Sequence, residues 1–400
     1  MGTGAGVSGA RVCIDLTPLE IRERYGGIGR YALHLLEELV ALPASERGGL
    51  EILGVTGSGS APVPGEAALE QARRLGEILP AGRHRAQRRF ALSRRLREAR
   101  VDLFHATEAA ALPLRPGCPI VSTCYDVIPL VVPKRRGGPV AWWQRERLRM
   151  ALRLRYRRPA QVVAISATTR ADLAREVGIA PDRVSVVPLG VDARVFSAEP
   201  AWPDESERVR ARHALPERWF VYVGSDHYRK NHARLFEAWC RVADRVPEGL
   251  VFVGRALYAS TLQQIEGEAR ARGLGSRVRW LSGLDDEALP PLYRHATAAA
   301  IPALYEGFGM TILEAMACGT PVAASRNGAH EEVAGEDAAW FDPRSVDDMA
   351  AALVRLSTDA ALRARLRDRG LARASRSSWA RTARETLAVY RRVLAGRGGP

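Results

Sequence analysis

Short apolar runs of strand length alternate with helical segments along the first half of the chain. One-sided apolar spacing predicts a helix over residues 28–40, and Ser166 and Gly178 are the expected N-cap and end of another. The runs that predict strands lie at 12–14, 52–55, 101–104, 120–123, 162–165 and 184–187. Because these runs are continuous and not strictly alternating, we expect a parallel sheet covered on both faces.

The second half repeats this order of elements. Helices are predicted over 233–246 and 311–318, and further helices close the chain. The predicted strands lie at 219–223, 250–253, 278–281, 298–301 and 322–324. The stretch 192–217 is rich in proline and charge and has no periodicity, so we place a linker there. Two alternating halves predict an α/β fold of two doubly wound domains facing a cleft.

The composition is that of an ordinary globular protein with room for two domains. The 400 residues are 46% hydrophobic and 26% charged, which excludes a disordered, collagen-like or coiled-coil chain. Residues 1–10 lack the pattern of a signal peptide and predict a flexible tail, and no apolar run has the length of a membrane span. Five cysteines without a CxxC pair indicate a reducing cytoplasm, with no disulfide framework and no zinc knuckle.

The net charge of +14 calls for an explanation, because it is also typical of a nucleic-acid-binding protein. Lysine occurs at two positions, Lys134 and Lys230, so nearly all the positive charge is arginine and indicates a GC-rich coding sequence. Ten basic residues against one acid fall in 134–158, beside two tryptophans, and eight against one fall in 83–100. These stretches are interpreted as a surface for an anionic membrane, as a site for an anionic acceptor, or as solvated faces.

The segment YEGFGMTILEAMACGTPV at 305–322 carries the most chemical information. A strand of small residues is followed by a glycine-flanked loop and a helix of about two turns, whose free amides and dipole suit a diphosphate. Gly307 and Gly309 allow the backbone to approach a bound group. Glu306 and Glu314 are eight positions apart and could accept hydrogen bonds from sugar hydroxyls. The alternative is an ordinary turn with two solvated carboxylates.

Four more positions belong to the predicted cleft. Lys230 follows the first strand of the second half and could reach a phosphate; the alternative is a solvated loop cation. Gly27 lies in GGIGRY, which nearly matches a dinucleotide fingerprint, but the preceding strand ends about ten residues too early for that fold. His105 and Asp126 follow strands and should face the cleft, or else cap the local backbone.

Taken together, these residues resemble the retaining glycosyltransferases of family 4, which have the GT-B fold. The resemblance covers nearly the whole chain and is closest to bacterial mannosyltransferases of surface polysaccharides. It rests on five motifs in the expected order: GGIGRY at 26–31, VVPLGVD at 186–192, RKN at 229–231, the two glutamates of EGFGMTILEAMACGTPV at 306–322, and SW at 378–379.

The resemblance implies a role for each matching residue. Lys230, with Arg229, should contact the donor diphosphate, Glu306 the donor sugar and Glu314 the ribose. His105 should stand near the reacting sugar. The remaining implied contacts are backbone contacts to the donor from Gly27, Gly307, Phe308, Gly309, Met310 and Thr311, and acceptor contacts from Asp126 and Tyr125. Tyr125 stands where many members have histidine, and Ser225 where some have arginine.

The resemblance also implies an overall organisation and activity. An acceptor domain at 11–195, joined by a crossing helix at 377–395, should precede a nucleotide-sugar domain at 205–376. The expected reaction moves a hexose with retention from GDP-mannose, or a UDP- or dTDP-sugar, to a saccharide, lipid-linked or small-molecule acceptor, without metal or other cofactor. The expected location is the cytoplasm or the inner membrane face, with no nucleic-acid partner. A sugar-nucleotide epimerase of GT-B build and a basic nucleic-acid binder remain the alternatives.

Overall fold

The computed structural model describes residues 9–20, 26–56, 73–77, 85–109, 112–132, 139–254 and 259–396. Lys134, Tyr25 and most of the predicted tail lie outside these ranges. The chain divides into two compact units. The first contains Met1–Leu189 together with Trp379–Pro400, and the second contains Gly190–Ser378.

The first unit is built on a parallel sheet of seven described strands. They are β1 (Arg11–Asp15), β2 (Glu51–Thr56), β3 (Arg73–Glu77), β4 (Leu103–Ala106), β5 (Ile120–Cys124), β6 (Gln161–Ala164) and β7 (Val184–Val186). Their order is β3-β2-β1-β4-β5-β6-β7, so the winding direction reverses between β1 and β4. This is the doubly wound arrangement, in which ligands bind beyond the carboxyl ends of the strands at the reversal.

The second unit is built on a parallel sheet of six described strands. They are β8 (Trp219–Val223), β9 (Gly249–Val253), β10 (Val278–Leu281), β11 (Ala298–Ile301), β12 (Val322–Ser325) and β13 (Ala339–Phe341). The order β10-β9-β8-β11-β12-β13 reverses between β8 and β11. Two doubly wound parallel sheets confirm the predicted fold class.

Helices connect most of the consecutive strands in both units. Those before the second unit are α1 (Gly27–Ala41), α2 (Ala44–Arg47), α3 (Arg85–Glu98), α4 (Ile128–Val131), α5 (Pro139–Arg157) and α6 (Ala167–Asp172). The second unit contains α7 (Glu205–His213), α8 (His232–Cys240), α9 (Ala259–Ala271), α10 (Leu289–Arg294), α11 (Met310–Ala317), α12 (Gly328–Ala334), α13 (Val346–Thr358) and α14 (Ala360–Ala374). The last helix, α15 (Trp379–Ala395), belongs to the first unit.

The sequence patterns predicted most of these elements. The Ser166 hydroxyl accepts a hydrogen bond from the Thr169 amide as the predicted N-cap, and Gly178 ends that helical stretch at φ 71°. The helix predicted over 233–246 is shorter, because α8 ends at Cys240. The predicted linker contains α7, which is anchored by the buried Glu205 through its ion pair with Arg294 and not by an apolar stripe.

Within the described residues, no helix has the length and apolar character needed to cross a bilayer.

Candidate functional site

The loops that follow β8 and β11 carry the main predicted side chains of the second unit. These two strands are hydrogen-bonded neighbours, and the winding of the sheet reverses between them. Lys230 lies in the first loop and Glu306 in the second. The topology therefore brings two residues 76 positions apart to the one edge of the sheet where a ligand is expected.

Glu306 forms ion pairs with two cations from the other loop. Its Oε1 lies 2.8 Å from Lys230 Nζ, and its Oε2 lies 2.9 Å from Arg229 Nη1. The Glu306 side chain is 12% exposed, so the cluster is largely shielded from solvent. A carboxylate has about four acceptor positions, which leaves Glu306 able to accept further hydrogen bonds.

The two cations keep Glu306 ionised despite its surroundings. Burial raises the pKa of this carboxyl, but Lys230 and Arg229 outweigh it and lower the pKa from 4.5 to about 2. Glu306 therefore carries its full negative charge at neutral pH. The arrangement places one anion between two cations, and a ligand with more negative charge could take its place.

Asn231 holds the two loops together. Its backbone adopts φ 60°, a left-handed conformation that asparagine tolerates better than most residues. Its buried side-chain amide donates to the carbonyl oxygens of Pro302 at 2.9 Å and Pro343 at 2.8 Å. The Leu304 amide donates to the Arg229 carbonyl at 2.7 Å. These bonds fix the two cations opposite the Glu306 loop, and sequence analysis did not assign this function to Asn231.

The start of α11 provides hydrogen-bond donors beside this cluster. Gly309 is the N-cap residue, with φ 119°, and it has no side chain to accept from the first amides of the helix. Gly307 and Phe308 are buried, whereas Met310 and Thr311 are partly exposed. The first amides of a helix without a side-chain cap attract anions. The anion site predicted at this helix start remains a prediction.

Glu314 lies further along α11 and is not in the ion-pair cluster. It is 2% exposed, and the Tyr293 hydroxyl donates to its Oε2 at 3.5 Å. Its predicted contact with a ribose remains a prediction.

His330 is a buried residue of the site that sequence analysis missed. It lies in α12, is 0% exposed, and its ring lies against Gly309. A Cβ atom on Gly309 would lie 3.0 Å from His330 Cδ2, so this glycine is needed for close packing as well as for its positive φ. A single histidine near the start of a helix gives no sequence pattern that reveals such burial.

In the first unit, the sequence predicts that His105 follows the end of its strand, and the structure differs. His105 lies within β4, which runs on to Ala106, and it is completely buried. Its Nδ1 lies 2.6 Å from the Tyr390 hydroxyl and its Nε2 lies 2.8 Å from Thr123 Oγ1. Burial lowers the pKa of His105 to about 3. Both ring nitrogens thus have partners inside the first unit, and the predicted place of His105 near the reacting sugar remains a prediction.

The two predicted acceptor residues follow β5. The Tyr125 hydroxyl donates to the Thr107 carbonyl at 2.8 Å, and its ring meets Tyr31 edge-on at 5.5 Å. Asp126 Oδ1 accepts from the Ile128 amide at 3.0 Å, at the start of α4. Gly27 is exposed in the first turn of α1. These positions have local structural partners, and their predicted ligand contacts remain predictions.

The described residues contain no group of three or more His, Cys, Asp or Glu side chains placed to hold a metal ion.

Two family models match the chain. The model described as Glycosyltransferase Family 4 matches residues 25–195, and the one described as Glycosyl transferases group 1 matches residues 204–373. Together they cover most of the chain.

Curated relatives include two mannosyltransferases. The MMP alpha-(1->4)-mannosyltransferase of Mycolicibacterium hassiacum is 32% identical over 70% of this chain and 66% of its own length. The O-antigen chain mannosyltransferase B of Escherichia coli is 30% identical over 58% of this chain and 60% of its own length. The matched part therefore spans less than two thirds of either relative.

Solved structures match almost the whole chain in fold. Sucrose-phosphate synthase from Thermosynechococcus elongatus has a TM-score of 0.72 at 21% identity, covering 97% of this chain and 100% of that one. Anabaena HepE in complex with UDP and glucose has a TM-score of 0.70 at 18% identity, covering 95% and 99%.

Proposed function

Since the chain belongs to the glycosyltransferases of family 4, which have the GT-B fold, we propose that it transfers a hexose from a nucleotide-diphosphate sugar to a hydroxyl group. GDP-mannose is the favoured donor, and UDP- and dTDP-sugars are the other candidates. The acceptor is a saccharide, a lipid-linked saccharide or a small-molecule natural product. The reaction proceeds with retention and needs no metal.

The observation that carries this proposal is the ion-pair cluster at the start of α11. Lys230 and Arg229 hold the Glu306 carboxylate at 2.8 and 2.9 Å beside helix amides that lack a side-chain cap. A diphosphate matches the two cations and the amides, and sugar hydroxyls match the carboxylate. A nucleotide-sugar combines both groups in one molecule.

The residues assigned to the donor also account for the chemistry of transfer. The bond between the anomeric carbon and the diphosphate oxygen breaks, and negative charge grows on that oxygen. Lys230, Arg229 and the first amides of α11 stabilise this charge, which lowers the barrier without a metal ion. The acceptor oxygen bonds to the same face of the sugar, and its proton passes to the departing phosphate.

The preference for mannose rests on the relatives. Two of them are named as mannosyltransferases, and the sequence motifs resemble that subgroup. A thermal-shift screen with GDP-mannose, UDP-glucose, a dTDP-sugar and an ADP-sugar tests the donor, because a bound ligand raises the melting temperature by mass action. We expect the largest rise with GDP-mannose. A larger rise with another sugar nucleotide would show that the donor is that nucleotide and not GDP-mannose. No rise with any of them would contradict the proposed function.

Product analysis separates this function from the alternatives. An epimerase converts the sugar nucleotide without an acceptor, whereas a transferase requires one. A nucleic-acid binder would bind any duplex with a steep dependence on salt. Proton NMR of the first product would show whether the anomeric configuration of the donor is retained.

We propose in addition that α5 lies on an anionic membrane surface, which suits a lipid-linked acceptor. Trp143, Met150 and Leu154 recur at helical spacing on α5 and are 62%, 55% and 61% exposed, beside the neighbouring Trp142 at 55%. Arginines are interspersed among these apolar side chains. Apolar residues mixed with cations favour the interface of an anionic bilayer.

Vesicle flotation tests this surface. The protein should float with phosphatidylglycerol vesicles at low salt and not with phosphatidylcholine vesicles. Replacing Trp142 and Trp143 with serine should weaken flotation. The matched control is Trp202→Ser, which changes a tryptophan of the second unit that is 42% exposed. Wild-type protein that fails to float would contradict the membrane proposal and leave the transferase proposal intact.

A further inference from the structure

His330 is held in a fixed orientation by the end of β12. Its Nδ1 lies 3.2 Å from the Ser325 carbonyl oxygen, and it also lies 3.2 Å from Ser325 Oγ and from Asn327 Nδ2. Ser325 and Asn327 themselves donate to the carbonyl of Ala303, at 2.6 and 2.9 Å. Ala303 lies in the loop that carries Glu306. The ring of His330 is therefore tied to the backbone that positions the ion-pair cluster.

These contacts assign the proton of the neutral imidazole ring to Nδ1. The two amide hydrogens of Asn327 go to its closer acceptors, the Ala303 carbonyl at 2.9 Å and Ser325 Oγ at 3.0 Å. The Ser325 hydroxyl hydrogen goes to Ala303. Nδ1 is therefore left to donate to the Ser325 carbonyl. Nε2 then presents a lone pair and can only accept a hydrogen bond.

Nε2 has no hydrogen-bond partner among the residues that the structure describes, although it is buried. It lies 3.5 Å from the position that a Gly309 Cβ would occupy, so this edge of the ring faces the N-cap of α11. Buried polar atoms are nearly always paired, and an unpaired one in a native protein needs an explanation. A bound ligand at the start of α11 would supply the missing partner.

We propose that His330 Nε2 accepts a hydrogen bond from a hydroxyl group of the donor sugar. This inference rests on the proposed function, and it adds a side chain from the β12–α12 junction to the sugar-binding groups. A sugar hydroxyl supplies the donor that the bare Nε2 lacks, whereas an unprotonated phosphate supplies none. His330 thus helps to select and orient the sugar, while Lys230 and Arg229 hold the diphosphate.

The environment of the ring agrees with an acceptor role. Burial lowers the pKa of His330 to about 4, against the smaller opposing effect of Glu306, so the ring is neutral near pH 7. A cationic imidazole would instead have favoured the phosphates.

Two substitutions distinguish the contributions of the two ring nitrogens of His330. His330→Asn keeps a polar group near Nδ1 and removes the one at Nε2, whereas His330→Gln keeps a polar group near Nε2. Calorimetric titrations with GDP-mannose and with GDP separate the contribution of the sugar to the affinity from that of the diphosphate. If the donor screen selects uridine, UDP-glucose and UDP are used instead. We expect His330→Asn to weaken sugar-nucleotide binding about tenfold, as one lost hydrogen bond does, and to leave GDP binding unchanged. His330→Gln should recover part of the loss.

A second measurement needs no substitution. In protein labelled with ¹⁵N-histidine, the Nε2 resonance of His330 should move on addition of GDP-mannose and stay in place with GDP. Unchanged GDP-mannose affinity in both variants, together with an unmoved resonance, would overturn the proposal and make His330 purely structural. Equal losses for GDP and GDP-mannose would also overturn it. Failure of the wild-type protein to bind any sugar nucleotide would instead contradict the proposed function itself.

Discussion

Replacing Glu306 with glutamine should tighten the binding of a free nucleoside diphosphate while it strongly slows transfer. The Glu306 carboxylate pairs with Lys230 and Arg229, the two cations assigned to the diphosphate. A diphosphate must compete with that carboxylate for the same partners. Glutamine keeps the size of the side chain and removes the competing charge.

The lowered pKa of Glu306 gives the size of the expected effect. A fall from 4.5 to about 2 means that the surroundings favour the charged form by about 3 kcal/mol, at about 1.4 kcal/mol for each pKa unit. The group is largely buried, so solvent screening reduces this figure little. If the Glu306→Gln variant makes a third to a half of this free energy available for diphosphate binding, the affinity for the diphosphate rises about 5- to 15-fold.

Titration calorimetry with GDP measures this change directly, with UDP in its place if the donor screen selects uridine. Glu237→Gln is a matched control, because it removes a carboxylate that pairs with Arg241 on the surface of the same unit. The control should bind GDP like the wild type, whereas Glu306→Gln should bind it more tightly and transfer sugar at least about 100-fold more slowly. Weaker GDP binding by Glu306→Gln would refute the idea that Glu306 occupies the place of the diphosphate.

Four further outcomes are expected. Lys230→Ala should lower kcat by about 100-fold or more, as the loss of a leaving-group stabiliser does, and near-normal turnover would contradict that role. Excess EDTA should leave the rate unchanged, and a loss reversed by Mg²⁺ would show a metal requirement. Gly309→Ala should destabilise the protein by about 1–3 kcal/mol through its positive φ and its contact with His330, whereas Gly283→Ala, also at positive φ but facing open space, should preserve transfer. Burial lowers the pKa of His105 to about 3 and that of His330 to about 4. Below pH 6.5 the unfolded chain therefore binds more protons than the folded one, and urea unfolding should show stability falling by about 2–3 kcal/mol for each pH unit near pH 5. Equal unfolding free energies at pH 7 and pH 5 would contradict the burial of these rings.

The fold was largely predictable because its central strands are continuous apolar runs. The strand β3 was missed for a physical reason: it lies at the edge of its sheet, where charged residues are common, and its sequence RRLGE has no apolar run. Helix α7 was missed because its anchor is the buried pair of Glu205 with Arg294, an interaction that periodicity does not reveal.

The candidate site was predictable only in part. The segment around Glu306 and the loop around Lys230 stand out in the sequence, but their ion pair depends on β8 and β11 being neighbours. Strand order depends on contacts between distant parts of the chain, and local sequence patterns do not predict it. The same limit explains His105, whose partner Tyr390 is 285 positions away, and His330, whose burial depends on packing against Gly309.

The last helix also affects the order in which the protein can assemble during synthesis. The second unit is one uninterrupted segment that ends where α15 begins, so all of its residues are synthesised before those of α15. Synthesis of the first unit begins earlier, but its folding cannot be completed until α15 is present. Tyr390 of α15 bonds to His105, and the buried Trp379 packs against Tyr31 and His34. A chain released before residue 379 would therefore contain every residue of the second unit but lack α15, and the apolar side chains of the first unit that pack on α15 would be exposed to chaperones and proteases.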